Sequence, residues 1–410
     1  YMESKPQIGL HVGQRLTVDI EKIAHGGHFI ARHESENGKK AVIFVRHAIP
    51  GEKVEIEITS TSSNFIRADV VEVISPSPDR VQAPCAYSHR DGCGGCDFQH
   101  ISIARQRALK SEVIKEQFER IAKMDISVEV EEVGEPLHWR TRVTATTDSN
   151  GALGFYSSRS HRVVPVKDCL IALPEIGIAA MSTQKLSPDV RIEIAYSSEG
   201  ERMVAEAPKS GDGKFRQNSG PAVLHERVGN QLLEVSQRSF WQGHKRAPGV
   251  LTEVVSNFAE IKNGDHVLDL YGGVGLFTAS SLEAVGSDGS IHLVEGSKDA
   301  TSDAKNNFAG LTNVEISTGD VAKIISRIQS ADVVILDPPR EGAGQLVLQQ
   351  ISALKPQRIV YVACDPAALA RDCAFANDLG WQLTKVRAFD LFPMTHHIEM
   401  VALFTRSAID

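Results

Sequence analysis

Two residues near the carboxyl-terminal end of this 410-residue sequence are of types suited to covalent chemistry. In YVACDPAALARD, residues 361–372, an apolar strand-like run delivers Cys364 into an Asp-Pro turn. Pro366 cannot donate to a sheet ladder and pushes Asp365 toward extended geometry, whereas AALARDCAFA beyond it has the composition of a helix. Cys364 is therefore expected at the carboxyl end of a strand and beside a helix N-terminus. Ligands of open α/β sheets bind at that edge, and a helix N-terminus lowers a thiol's pKa toward the reactive thiolate. The bland alternative is a small buried hydrophobe, which free cysteine often is. Glu399, in FPMTHHIEMVALF, follows 35 residues later on a strand expected to return across the sheet. It is a candidate base, or else one half of an edge-strand salt bridge.

A second set of thiols has metal-ligand character. Cys85, Cys93 and Cys96 stand in a C-x7-C-x2-C arrangement whose glycines let backbone groups crowd around one centre. Three sulfurs need a fourth, and Cys169 in VPVKDCLIA is available. Four thiolates suit a [4Fe-4S] cluster or a zinc ion; a triplet plus one remote cysteine is the commoner cluster pattern, and ordinary thiols are the remaining reading. The spacing and the fourth ligand argue against a radical enzyme that leaves one iron open.

The elements that position these groups follow from periodicity. After SFWQGH, residues 239–244, the pattern alternates strands and helices, and HVLDLYGGVGLFTAS reads as strand, glycine turn and helix, the start of a Rossmann-like fold. Glu295 ends the next strand, where it could hold both ribose hydroxyls; Asp320 ends a third, near an adenine; Asp337 in LDPPREG ends a fourth. Four such strand ends are typical of a class I methyltransferase binding S-adenosylmethionine. An NAD enzyme would leave DPPR and Cys364 without a role.

Upstream, residues 8–74 alternate apolar and polar residues between Gly and Pro punctuation, five short strands suggesting an OB-like barrel. HGGHFIAR, VIFVRHAIPGEKVEIEI and SPSPDRV resemble a TRAM domain, an RNA-binding module; an SH3-like protein-binding barrel is the alternative. Ser75–Pro84 is a linker. Ile101–Met124 reads as an amphipathic helix with Leu109, Val113, Ile114, Phe118 and Ile121 on one face. Val128–Arg238 reads as mainly β, with residues 200–222 as surface loop. Within it Arg140, Arg142, Arg159, Arg162 and Lys167 lie among Trp139, Phe155 and Tyr156, a mix suited to an unpaired RNA strand or to an ordinary strand edge.

A net charge of −8 excludes a generally basic nucleic-acid coat, so RNA contact must come from local patches. No apolar run approaches the roughly 20 residues that span a bilayer, and no secretory pattern opens the sequence. The expectation is a cytoplasmic protein without membrane contact, a monomer, in three parts: residues 1–75 a TRAM or OB-like barrel, 76–238 a β-rich central domain with the cysteines, and 239–410 a Rossmann-like class I methyltransferase domain, α/β overall.

DLYGGVGLF, LDPPREG, YVACDPAALARD and DLFPMTHHIE, with the cysteine set and the TRAM-like start, resemble the RNA uracil-C5 methyltransferase family, specifically its TRAM-bearing iron–sulfur bacterial branch acting on 23S ribosomal RNA. The resemblance implies that Cys364 is the nucleophile and Glu399 the base. It implies S-adenosylmethionine contacts at Gln242, Tyr271, Glu295, Asp320 and Asp337, and cluster ligation by Cys85, Cys93, Cys96 and Cys169. Ribosomal RNA is then favoured over tRNA as partner. C5 of a uracil is a weak nucleophile until a thiolate adds to C6, after which a base must remove the C5 hydrogen. The chain departs from the family at Asp365, commonly Asn, where a negative charge beside the thiol raises its pKa, and at Leu276, often Asn. An exocyclic-amine methyltransferase and a catalytically silent RNA-binding factor are the competing readings.

Overall fold

The computed structural model describes residues 9–34, 38, 40–62, 65–210 and 213–406. Ile8, the first residue of the expected β region, lies outside the described residues. The chain forms two compact units. One holds the residues up to Val113 with Gly154–Val166 and Phe392–His397; the other holds Ile114–Leu153, Lys167–Leu391 and the residues from Ile398 on.

The first unit begins with β1 (Arg15–Ala24), β2 (His28–Glu34), β3 (Lys40–Arg46), β4 (Lys53–Thr61) and β5 (Ile66–Ser75). They close into a barrel in the order β1-β2-β3-β5-β4, with β3 and β5 parallel. Every second residue points inward, so Phe29, Ile43, Val45, Val54, Ile56 and Ala68 fill the interior. Helix α1 (Ile103–Gln117) follows the cysteine loop. It is shorter than the expected 101–124, because a π-helical turn takes over at Phe118–Ala122 and Lys123 ends it with a left-handed φ of 56°.

After β6 (Val130–Glu132) and β7 (Arg142–Thr147), β8 (Leu153–Tyr156) and β9 (Val163–Pro165) form a hairpin. Then come α2 (Ile178–Ser182), β10 (Val190–Tyr196), β11 (Arg202–Pro208), β12 (Arg216–Ser219), β13 (Val223–Val228) and β14 (Gln231–Ser236). Residues 200–222, expected as surface loop, thus carry two strands. The alternating MVAEA segment pairs with β10 along its whole length, a pattern its flanking Gly and Ser residues obscured.

The remaining elements are α3 (Ala247–Ala259), β15 (His266–Leu270), α4 (Leu276–Val285), β16 (Ser290–Glu295), α5 (Lys298–Asn307), β17 (Val314–Thr318), α6 (Val321–Ile325), β18 (Val333–Leu336), α7 (Gly344–Ala353), β19 (Arg358–Ala363), α8 (Pro366–Asp378), β20 (Trp381–Asp390) and β21 (Glu399–Arg406). With β6 they build an eight-stranded sheet in the order β17-β16-β15-β18-β19-β21-β20-β6. The five strands from β17 to β19 run parallel, while β21 runs antiparallel to both of its neighbours. Strands covered on both faces read as continuous apolar runs; all four residues of β18 are buried, as are Ile359 to Ala363 of β19. Each such side chain contributes about 1.5–3 kcal/mol, so the position of the strand ends is strongly fixed. The expected architecture, a Rossmann-like α/β domain preceded by an OB-like barrel and β-rich elements, is the one observed.

Candidate active site

All the carboxyl ends of the parallel strands open on one edge of the large sheet, and the sequence-identified residues stand there. Tyr271 follows β15, Glu295 closes β16, Asp320 lies two residues past β17, Asp337 follows β18, and Cys364 follows β19. Glu399 reaches the same edge from the opposite direction, as the first residue of β21. The ladder pairs Ala363 with Met400, so one further step sets Cys364 opposite Glu399. That juxtaposition arises from strand register, which is rigid.

The corner at Cys364 is held by its own motif. Asp365 Oδ1 accepts from the backbone N–H groups of Ala367 (3.0 Å) and Ala368 (2.9 Å), capping α8, and Pro366 occupies the first helical turn. Six residues beyond the turn, Asp372 is fully buried. Its Oδ2 accepts from the Tyr361 hydroxyl at 2.7 Å and from the N–H groups of Ala343 (2.8 Å) and Gly344 (3.2 Å), while Arg371 pairs with Oδ1 at 2.9 Å. The loop carrying Asp337 and Arg340 is thereby clamped to the strand and helix on either side of Cys364. Gly342 makes this possible: its φ is 80°, and a Cβ there would stand 2.6 Å from both Asp372 Oδ2 and an Arg371 nitrogen.

Electrostatics at the corner overturn one expectation. Burial, with the carboxylates of Glu399 and Asp337, pushes the Cys364 thiol up to about 12; Arg340 opposes the shift and Asp365 adds to it. The low-pKa thiol expected at a helix N-terminus is not found, since burial and nearby negative charge raise it. Burial and the Asp337 charge likewise hold Glu399 well above the usual carboxylate range. Asp337 is raised to about 7 by burial, Asp269 and Glu295.

Asp269, within the apolar strand β15, escaped the sequence reading. Its Oδ2 accepts from the Thr278 hydroxyl (2.7 Å) and N–H (2.9 Å), tying strand to helix across the glycine turn, and burial raises its pKa to about 6. Its Oδ1 is buried and has no hydrogen-bond partner. Glu295 accepts from the N–H groups of Gly273 (3.1 Å) and Ser297 (2.7 Å). Gly275, with φ 103°, lets the turn press against Phe308, where a Cβ would approach to 2.3 Å. A tight glycine turn, a carboxylate at its mouth and an unsatisfied buried carboxylate oxygen fit a ligand bearing ribose hydroxyls and an ammonium group, as S-adenosylmethionine does. Gln242 is buried, and its carbonyl accepts from the Thr141 hydroxyl at 3.4 Å.

The cysteine loop belongs to the first unit. Cys85, Cys93 and Cys96 are half-buried. Gly95 N–H points at Cys93 Sγ and Gln99 Nε2 at Cys96 Sγ, each at 3.4 Å, while Gln99 Oε1 accepts from Cys85 N–H at 3.3 Å. Donors aimed at sulfur suit thiolate ligands. Among the described residues no three His, Cys, Asp or Glu side chains converge as a metal-holding group. Cys169, also half-buried, belongs to the second unit.

The mixed cation and ring set expected to meet RNA divides. Trp139 is fully buried, its ring stacked 5.4 Å from His244. Arg142 is half-buried and faces Glu226 at 3.7 Å. Trp139 is thus a core group, which cation and ring spacing alone does not distinguish from a binding face. Arg159 and Arg162 are exposed on the β8–β9 turn, and Arg162 donates to the Asp91 carbonyl at 2.6 Å.

Among the described residues no helix is long and apolar enough to cross a membrane. Residues 9–71 match the family described as TRAM domain, and residues 321–407 the family described as tRNA (Uracil-5-)-methyltransferase. The chain is 38% identical to an uncharacterized RNA methyltransferase of Streptomyces avermitilis, covering 97% of this chain and 99% of that protein. It is 35% identical to one of Corynebacterium efficiens, covering 99% and 98%. Among solved structures it resembles the Pyrococcus abyssi tRNA (uracil-54, C5)-methyltransferase in complex with S-adenosyl-L-homocysteine, with a TM-score of 0.72 and 20% identity over 92% of this chain and 99% of that one. At that identity the likeness establishes the fold.

Proposed function

We propose, from the premise that the chain belongs to the family of S-adenosylmethionine-dependent RNA (uracil-C5)-methyltransferases, that it methylates C5 of one uridine in structured RNA through a covalent bond from Cys364 to C6. The observation that carries this reading is the placement of Cys364 and Glu399 on facing ends of paired strands, beside Asp337. S-adenosylmethionine supplies an electrophilic methyl group when bound, and Tyr271, Glu295, Asp320, Asp337 and Gln242 are proposed to hold it.

Cys364 gives up its thiol proton to water as its sulfur adds to C6, and the electron pair of the C5–C6 bond moves to C5. After C5 has taken the methyl group, Glu399 in its ionised form removes the C5 proton. The returning electron pair restores the C5–C6 bond and expels the thiolate. A thiol near 12 is not a standing thiolate, so the carboxylates guard against idle reactivity while Arg340 favours the ionised sulfur. The uridine must leave its stack, because sulfur attacks from above the ring.

RNA carrying 5-fluorouridine blocks removal of the C5 substituent. Mass spectrometry is expected to find this RNA linked to Cys364; a methylated exocyclic amine as product, or no adduct, would overturn the proposal.

We further propose that Cys85, Cys93 and Cys96 bind a [4Fe-4S] cluster, with Cys169 as the fourth ligand on sequence grounds. Support comes from the thiol spacing and the N–H donors aimed at sulfur. Brown protein containing iron after anaerobic purification is expected; colourless zinc protein would refute it. Ribosomal RNA of the 23S kind is proposed over tRNA, with the exposed Arg159 and Arg162 among its contacts. A cytoplasmic monomer is proposed on the sequence reading. The three-part division at residues 75 and 238 is likewise proposed, with limited proteolysis near those positions as its check.

A further inference from the structure

Asp303 and Asn307 stand four residues apart on α5 and so share one face of it. That face lies along β14, one strand of the two-stranded hairpin β13–β14. Asn307 Oδ1 accepts from the Glu234 N–H at 2.7 Å, and its Nδ2 donates to the Glu234 carbonyl at 3.1 Å. Asp303 Oδ2 accepts from the Ser236 N–H at 2.9 Å and from the Ser236 hydroxyl at 2.8 Å. The spacings match, since residues two apart on a strand are separated by roughly 6.7 Å and residues four apart on a helix rise about 6 Å. The two side chains do for β14 what a third strand would do, and they cover its edge.

Edge cover alone does not account for their remaining contacts. Asn307 Nδ2 also donates to the Val274 carbonyl, inside the glycine turn, at 3.1 Å. Asp303 Oδ2 takes a third hydrogen bond, from the Ser239 hydroxyl at 2.6 Å, and Ser239 stands three residues before Gln242. The rest of α5 reaches the other donor segments. Its N-cap Ser297 donates its N–H to Glu295, and the Thr301 hydroxyl accepts from that of Thr318, two residues before Asp320. Phe308, directly after Asn307, is the ring against which Gly275 presses. Asp303 and Ser239 are both buried, so water competes little for their hydrogen bond.

We infer that Asp303 and Asn307 are positioning residues of the donor site, which fix the separation of Gln242 from the glycine turn by acting through Ser239 and Val274. This role rests on the S-adenosylmethionine reading of the strand ends and deepens it. A ligand held by several segments at once is bound well only while those segments keep their spacing. Slack between them weakens the ground state and the transition state alike, so KM for the donor rises while kcat stays.

The test uses the full-length protein, with S-adenosylhomocysteine affinity read by calorimetry and methyl transfer to an unmodified 23S ribosomal RNA transcript read at varied S-adenosylmethionine. Asp303→Ala and Asn307→Ala are each expected to raise the Kd and the donor KM about tenfold, with kcat at saturating donor and the KM for RNA changed less than about twofold. Asp303→Asn, which keeps an acceptor for the three donors, is expected to come back to within about threefold of the parent. Ser239→Ala removes one hydrogen bond and leaves α5 untouched; it is expected to weaken donor binding about threefold, and it decides the matter should Asp303→Ala fail to fold. Ile192→Ala, which opens a cavity in β10, is expected to lower the urea midpoint and leave donor affinity unchanged. Donor affinity within about twofold of the parent in Asp303→Ala, Asn307→Ala and Ser239→Ala, or an equal loss in Ile192→Ala, would overturn the role. A parent protein that binds no S-adenosylhomocysteine would instead overturn the donor reading beneath it.

Discussion

Cys364 and the thiols of the loop at Cys85–Cys96 carry the same functional group in opposite surroundings. Cys364 ends a buried strand, facing two carboxylates that raise its pKa. The loop thiols are half-exposed and receive N–H groups from Gly95 and Gln99. A buried sulfur beside negative charge resists ionising, whereas one approached by donors is suited to metal ligation. Surroundings, more than residue type, assign the role.

Four measurements separate the two kinds of sulfur and their surroundings. Cys364→Ala is expected to lower methyl transfer roughly 10⁴-fold while leaving bound iron unchanged, whereas Cys93→Ala is expected to lose iron; single-turnover assays and elemental analysis read the two. Equal iron loss in both would erase the distinction. Glu399→Gln is expected to slow turnover about 10²- to 10³-fold, and the RNA-linked protein should then accumulate on a denaturing gel even with ordinary uridine. Asp372→Ala leaves the Tyr361 hydroxyl and two N–H groups without their acceptor, so urea unfolding should register a loss of about 3 kcal/mol; Asp372→Asn, which keeps an acceptor, should recover most of it. The smallest effect concerns pH. Asp337, raised to about 7 in the free protein, is protonated below that pH and ionised above it. A cationic donor favours the ionised form, so affinity for S-adenosylmethionine should rise at most about tenfold between pH 6 and 8. A flat calorimetric profile would place Asp337 outside the donor's field.

The strand ends were legible because each apolar run stops at a residue that breaks a sheet: glycine after Tyr271, Pro338 after Asp337, Pro366 after Asp365. Glu399 was legible for a related reason, since it opens an uninterrupted apolar strand. Asp269 was not, because one acid inside HVLDL resembles a tolerated interruption, and only its Thr278 partners reveal its task. The pairing of β3 with β5 was also hidden, as it joins segments that no turn connects. Trp139 misled because composition reports which groups are present, while burial depends on what the rest of the chain lays over them. The thiol's raised pKa has the same origin: its causes lie 27 residues before it and 35 after.

The reversed direction of β21 has a practical consequence for anyone redesigning this enzyme. Cys364 and Glu399 are joined by a ladder, so the helix and strand intervening in the chain can be lengthened at their surface turns without changing the distance between the two groups. A single residue inserted at the start of β21, by contrast, would slide every following side chain to the other face of the sheet. Such an insertion would turn the Glu399 carboxylate away from Cys364 while leaving its chemical identity intact.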